Sequence, residues 1–209
     1  VTRGGGGSRW TRPAFAEVDG LALHLPHPRP VAVAFHEAGR AEALALAPVG
    51  RLVANDNPRS FVPGPDSDGP GYRILSSRGR ARPPTSAVDV VVGAGDWVGA
   101  PVSGRVVEVR EYALYGSQRD WRVVIEPAER PDLHLVLVHL YEPVVEVADR
   151  LRAGERLAKA RLLPLRSQVD SVTGRRLPHV HIEARAATEV DLVDPNEPAL
   201  PADAALDGA

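Results

Sequence analysis

The chain has 209 residues and contains neither cysteine nor methionine. The absence of thiols excludes disulfides and thiolate chemistry, so any metal centre must be built from imidazole and carboxylate. Methionine is missing even at position 1, which sets the expectation of an alternative start or a processed fragment. No charged-then-apolar leader opens the sequence. There is also no surplus of charge: 25 basic and 27 acidic side chains leave a net charge of −2. Nucleic-acid binders carry a basic excess and membrane-surface proteins a polybasic patch, and this chain has neither. It lacks an apolar run of 18 residues, so no membrane-spanning helix is expected. What it does have is 44% apolar residues and an ordinary 25% charged residues. That is enough for the core of one full domain, or of one domain and a small companion.

Composition shifts along the chain divide it. Residues 1–13 open with VTRGGGGSRWTR, a glycine-rich stretch expected to be a flexible N-terminal segment. Residues 14–53 hold three apolar or alternating runs, GLALHLP (20–26), PVAVAFHEA (30–38) and EALALAPVG (42–50), broken by proline and glycine. They read as a small β-rich unit. Residues 54–72, dense in Asn, Asp, Pro and Gly, read as a loop or linker. From 73 to 197 nearly every segment has the length and β-branched content of a strand: AVDVVVG (87–93), GRVVEVREY (104–112), WRVVIEP (121–127), LHLVLVHLYEP (133–143) and HVHIEAR (179–185). Only 148–160, ADRLRAGERLAKA, has helical character, weakened by Gly154. Residues 198–209 read as a flexible tail. The expected fold class is all-β.

The stretch LPHVHIEAR (177–185) carries a chemical signal. Val180 and Ile182 alternate with His179, His181 and Glu183, the period of a strand with two unlike faces. His179 and His181 then lie side by side, where two imidazoles repel if charged and cost desolvation if buried without partners. Such a pair reads either as a solvated polar face or as a metal or acid–base site. Upstream, GAGDWVGAPVSGRVVEV (93–109) joins turns and small corners to strands, with Pro101 and Gly104 setting bends. A weaker echo at 146–158 completes a doubled pattern also seen in biotinyl and lipoyl carriers. Those carriers need a lysine at the turn tip, and none stands here.

Four pieces in order resemble the lysostaphin/LytM-type zinc endopeptidases, which cut peptidoglycan cross-bridges. SSRGRAR (76–82) resembles the family's S-x-F-G-x-R, with Arg78 in place of the phenylalanine. SAVDVVVGAGDWVGAPVSGRVVEV resembles the aspartate-bearing strand and the turn after it. LVHL (137–140) resembles Y-x-H-L, and PHVHIE (178–183) resembles H-x-H-F-E. VDP (193–195) matches the usual exit from the last core strand. The resemblance covers about Ile74 to Pro195. It implies an antiparallel β-roll or sandwich of the duplicated hybrid motif type, here preceded by the small N-terminal unit. It also implies a zinc cofactor, a peptidoglycan peptide or a cell-wall hydrolase as partner, and an extracytoplasmic, cell-wall location. By the same resemblance Asp89 and His181 are metal ligands, and His139 and His179 are the acid–base and transition-state-stabilising pair. Glu183 shares the strand face of the histidines, either as a partner behind a ligand or as a solvated side chain.

One position departs from the family. Its first ligand is a histidine four residues before the aspartate, in H-x-G-x-D, whereas this chain reads TSAVD and places Thr85 there. A neutral hydroxyl is a poor zinc ligand, and two ligands bind far more weakly than three. The expectation is therefore a degenerate member with weak or absent zinc hydrolysis, one that binds peptidoglycan peptide or regulates a hydrolase. The alternative is an active zinc endopeptidase whose third ligand comes from elsewhere, with His36 the first candidate. His36 sits in FHEAGR, where Arg40 replaces the second histidine of H-E-x-x-H, so a zincin helix is excluded. His24 and His27 flank Pro26 as loop or edge residues. His134 is five residues from His139 and would face the opposite side of a regular strand. The arginines of SVTGRR (171–176) read as a solvated loop or a carboxylate contact. Trp97 and Trp121 read as packing residues. The glucose-type phosphotransferase carrier shares the doubled turn layout, but its histidines do not form H-x-H on one strand.

Overall fold

A computed structural model describes residues 13–38, 42–53, 73–76, 85–165, 168–169 and 174–187. The 54–72 loop, most of SSRGRAR, VDP and both termini lie outside these residues. Among the described residues there are thirteen strands and no α-helix, and none of them forms a helix long and apolar enough to cross a membrane. The all-β expectation holds.

Three short strands, β1 (Ala14–Val18), β2 (Leu21–His24) and β4 (Ala47–Pro48), form one small sheet in the order β2-β1-β4. The large sheet takes β3 (Ala32–His36), β5 (Arg73–Ser76), β6 (Ala87–Val91), β8 (Gly104–Leu114), β9 (Gln118–Pro127), β10 (Leu133–Tyr141), β11 (Arg150–Leu151) and β13 (His179–Ala186). Its order is β11-β8-β9-β10-β13-β6-β3-β5, with β12 (Arg156–Ala160) bridging β10 to β7 (Trp97–Gly99). Every pairing is antiparallel except β3 with β5. Of the segment 14–53, then, β3 lies inside the large sheet while its neighbours form the small one.

The segment 148–160 is extended. Gly154 turns the chain at φ 86° between β11 and β12, a conformation that glycine adopts without steric cost. Leu157, Ala158 and Ala160 are buried against the core, and β12 pairs with β7. Alanine and leucine serve helix and strand alike, so tertiary pairing decides their state. β1 was not among the expected strands; its pattern AFAEV is short and alanine-rich, yet Phe15, Ala16 and Val18 are fully buried.

The large sheet's two faces differ sharply at its centre. Val33 and Phe35 of β3, Val88 and Val90 of β6, and Val180 and Ile182 of β13 join one apolar cluster that also contains Phe15, Leu21 and Leu23 of the small sheet. Burying such side chains contributes about 1.5–3 kcal/mol each, so this face sets the register. A one-residue slip would carry all six out of the core. The opposite face then has no choice: it receives His36, Asp89, His179, His181, Glu183 and Arg185.

Gly104 holds its place for want of space. A Cβ there would run into the backbone carbonyl of Glu126 on the paired strand β9 and lie 3.0 Å from Ile125 Cγ2. Backbone cannot swing aside as a flexible side chain can. Gly104→Ala should therefore destabilise the fold by about 2–3 kcal/mol, read as a lowered urea midpoint with unchanged slope.

Candidate metal centre

Register places the site residues before any side chain is considered. Across β3, β6 and β13, Ala34, Asp89 and His181 stand opposite one another in one row. In the next row stand His36, Ala87 and Glu183. Paired residues project to the same face, so His36 lies diagonally across from Asp89, and His181 lies directly across. Ala34 and Ala87, fully buried, separate the larger groups with minimal bulk.

The result is a cluster of three donor atoms, one each from His36, Asp89 and His181, all within 4.8 Å of one another. His181 Nδ1 is 2.9 Å from Asp89 Oδ1, and His36 Nε2 is 3.3 Å from the same oxygen. His179 Nε2 is 3.7 Å from Asp89 Oδ2. Thus one buried carboxylate faces three imidazoles. The structure places Asp89, His179 and His181 together on one sheet face, with His36, the first candidate for a third ligand, beside them.

Thr85 has a different occupation. Its hydroxyl donates to the Leu46 carbonyl at 2.8 Å, and Leu46 N–H donates back to the Thr85 carbonyl at 2.6 Å. Thr85 therefore fastens the chain before β4 to the start of β6. Ser86 then fixes the end of β3. Its N–H donates to the His36 carbonyl at 3.0 Å, and its hydroxyl accepts from Ala38 N–H at 2.8 Å.

Each imidazole of the cluster is oriented by its second nitrogen. His36 Nδ1–H donates to the Glu37 carbonyl at 2.8 Å, which leaves Nε2 as the atom that faces Asp89. That atom is buried, with the Asp89 carboxylate 3.3 Å away. A cation between them could take both as ligands. His181 Nε2–H donates to Glu183 Oε1 at 2.9 Å, so Nδ1 is the atom that faces Asp89. Glu183, only 3% exposed, is in turn held by the Arg185 guanidinium through two hydrogen bonds. The carboxylate–imidazole–metal arrangement is the usual way of fixing a ligand's tautomer. Glu183 is therefore a buried partner of His181, the first of its two sequence readings.

Charges in the cluster are strongly coupled. Burial alone would raise the Asp89 carboxyl, but the surrounding histidines outweigh it and hold it well below the usual range. Burial would likewise lower His181, yet its hydrogen bonds to Asp89 and Glu183 raise it to about 10. Glu183 falls to about 2, the bonds and charges of His181 and Arg185 overcoming its desolvation. His179 goes the other way: burial dominates the attraction of Asp89 and lowers it to about 3, so its ring is neutral.

His139 arrives by a different route. Val138 pairs with His181 and Leu137 with Ile182, so strict alternation would turn His139 toward the apolar core. Instead the register of β9 and β10 shifts between Leu137 and Leu140, and His139 adopts φ 65°. The bulge re-aims the side chain. Its ring sits 5.1 Å from that of His179 and 6.1 Å from that of His181, centroid to centroid. The bulge also overturns the parity argument for His134, which pairs with Arg185 and so shares the face on which His139 lies, at the strand's far end. His24 lies in β2 and His27 beside Asp96 at 3.5 Å, both outside the cluster. Trp121 packs against the core, and Trp97 lies beneath Arg156 at 4.9 Å.

The donor set tests well for zinc. Two neutral nitrogens and one carboxylate oxygen match the ligand types of a catalytic zinc site. Ligand bonds of about 2.0–2.1 Å in tetrahedral geometry put donors about 3.3 Å apart; the two contacts to Asp89 Oδ1 are 2.9 and 3.3 Å, and all three donors lie within 4.8 Å. The proton that His181 holds at Nδ1 is the one a metal would displace.

Fold and cluster together define an all-β domain with a candidate divalent-metal centre on one face of its large sheet. No protein-family model and no curated protein matches the chain. Among solved structures it is similar to the catalytic domain of the antimicrobial peptidase lysostaphin from Staphylococcus simulans, at 19% identity over 68% of this chain and 85% of that one, with a TM-score of 0.37. It is similar to lysostaphin in solution, at 20% identity over 49% of this chain, with a TM-score of 0.38; the match spans only 36% of that protein. A zinc-containing peptidase from Vibrio cholerae is 20% identical over 62% of this chain and 36% of its own, with a TM-score of 0.36.

Proposed function

We propose that this chain is a zinc-dependent peptide hydrolase acting on peptidoglycan peptide, with His36 in the ligand role left open by Thr85. The observation that carries this reading is the convergence of His36, Asp89 and His181, whose donor atoms lie within 4.8 Å of one another, with His36 Nε2 3.3 Å from Asp89 Oδ1. A site that had merely decayed has no need of a second buried imidazole directed at its remaining carboxylate. His36, Asp89 and His181 would hold the ion. Zinc so bound supplies a Lewis acid that polarises a scissile carbonyl and acidifies water.

The remaining groups are arranged for proton transfer. His139 Nδ1 is 3.0 Å from Asp120 Oδ2. Nδ1–H donates to that carboxylate and keeps its proton, so the other ring nitrogen is the one to accept a proton from an attacking water and return it to the leaving amine. His179, neutral because it is buried, offers a hydrogen bond to the oxygen on which negative charge develops. The peptidoglycan substrate and the extracytoplasmic setting rest on the sequence resemblance.

Zinc titration of the metal-free chain, followed by incubation with peptidoglycan-derived cross-bridge peptides, tests the reading. The expected result is one zinc per chain at submicromolar affinity and cleavage that a chelator abolishes and added zinc restores. Absence of zinc above background would overturn the proposal in favour of the degenerate binding module. Stoichiometric zinc without cleavage would overturn the hydrolase while leaving the metal centre in place.

A further inference from the structure

Asp120 belongs to none of the motifs that pointed to the site, yet it is fully buried and stands behind one of the site's histidines. It lies on β9 opposite Tyr112 of β8. Five donors converge on its carboxylate. Oδ1 accepts the backbone N–H groups of Trp121 at 2.9 Å and Leu140 at 3.0 Å. Oδ2 accepts the Tyr112 hydroxyl at 2.7 Å, the backbone N–H of His139 at 3.1 Å and His139 Nδ1 at 3.0 Å.

This convergence solves two problems at once. The register shift in β10 leaves His139 without a partner position on β9, while Leu140 pairs with Trp121, and a buried N–H cannot be left without an acceptor. Asp120 accepts both. His139 also occupies a left-handed conformation that a non-glycine residue adopts only when its surroundings impose it. Its N–H is held by Asp120 and its carbonyl by Arg161 N–H at 3.0 Å, so the backbone is pinned on both sides. The same carboxylate then meets the imidazole. A carboxylate already accepting three backbone amides can only accept from Nδ1, so the proton sits on Nδ1 and the lone pair on Nε2.

We infer that Asp120 is a positioning residue for His139. Its carboxylate builds the bulge that turns the imidazole onto the site face and fixes the tautomer in which Nε2 is the basic atom. Tyr112 braces the carboxylate. Burial and the neighbouring Asp120 charge push the Tyr112 hydroxyl far above its ordinary value, so it stays a donor. In its catalytic consequence the inference rests on the hydrolase reading above; in its structural content it does not.

The test is long-range ¹H–¹⁵N NMR of the ring nitrogens in the full chain with labelled histidine, His139 being assigned by the resonance lost in His139→Asn. Free imidazole prefers the proton on Nε2. The expected wild-type pattern is the reverse, with protonated Nδ1 and bare Nε2. In Asp120→Asn one oxygen becomes an NH₂ group that cannot accept, and the His139 pattern should shift toward Nε2–H. Zinc stoichiometry should not change. Peptide cleavage by Asp120→Asn should fall about 10²–10⁴-fold in kcat with little change in KM. An Nε2–H tautomer at wild-type His139 would overturn the inference, and that spectrum decides it even if Asp120→Asn does not fold. A tautomer unmoved in Asp120→Asn with full kcat would overturn it as well. If the wild type cleaves no peptide, the hydrolase reading fails, and the two spectra still decide what Asp120 does to His139.

Discussion

His36→Ala should abolish tight zinc binding. Removing a group that only supports a ligand weakens metal affinity by about 10–100-fold; removing one of three ligands should exceed the upper end of that range. The zinc-free protein should lose some stability as well, because the buried ring gives up its bond to the Glu37 carbonyl and its contact with Asp89. Bound zinc stabilises the native state by mass action, about 2.7 kcal/mol at a free concentration 100 times the dissociation constant. Thermal melting with and without zinc therefore separates the two effects: the wild type should gain Tm on adding zinc, and His36→Ala should not. Thr85→Val is the matched control. It should lose about 1 kcal/mol of stability with its hydrogen bond to the Leu46 carbonyl, and its zinc affinity should equal that of the wild type. If Thr85→Val lost zinc and His36→Ala kept it, the assignment of ligands would be wrong. Zinc uptake should also release protons, since His181 is protonated in the metal-free chain. Calorimetry in buffers of different ionisation enthalpy reads that release directly.

His139→Asn should reduce kcat for peptide cleavage about 10²–10⁴-fold with zinc stoichiometry intact. Asparagine is the suitable replacement because it tolerates the left-handed backbone at φ 65° better than alanine does. It keeps the backbone N–H that Asp120 accepts but offers no basic nitrogen. Loss of activity with zinc and Tm preserved would place the defect in proton transfer. Activity close to that of the wild type would remove His139 from the mechanism and leave His179 as the histidine to test next.

Part of the candidate site was legible in the sequence because strand periodicity is local, while Asp89 and the roles of the histidines came from the motif resemblance. Val180 and Ile182 point one way, so His179, His181 and Glu183 must point the other, whichever strands lie alongside. The same logic covers Val88, Asp89 and Val90. Thr85 was equally legible as a departure, but its consequence was not. Whether a missing ligand leaves a dead site or a replaced one depends on what lies beside Asp89, and a strand's neighbours are not encoded in its own alternation.

Two pairings outside the reach of local pattern settled the geometry. The antiparallel register of β3 against β6 carries His36, 53 residues upstream of Asp89, to within 3.3 Å of its carboxylate. The bulge at His139, held by Asp120 from the adjacent strand, reverses the face that alternation assigns to that residue. The all-β class and the histidine-bearing face follow from the order of residues along the chain, because side-chain alternation and β propensity act over a few positions. The third donor and the aim of His139 come from hydrogen bonds between distant segments, whose partners are chosen by burial of the whole sheet against its neighbour.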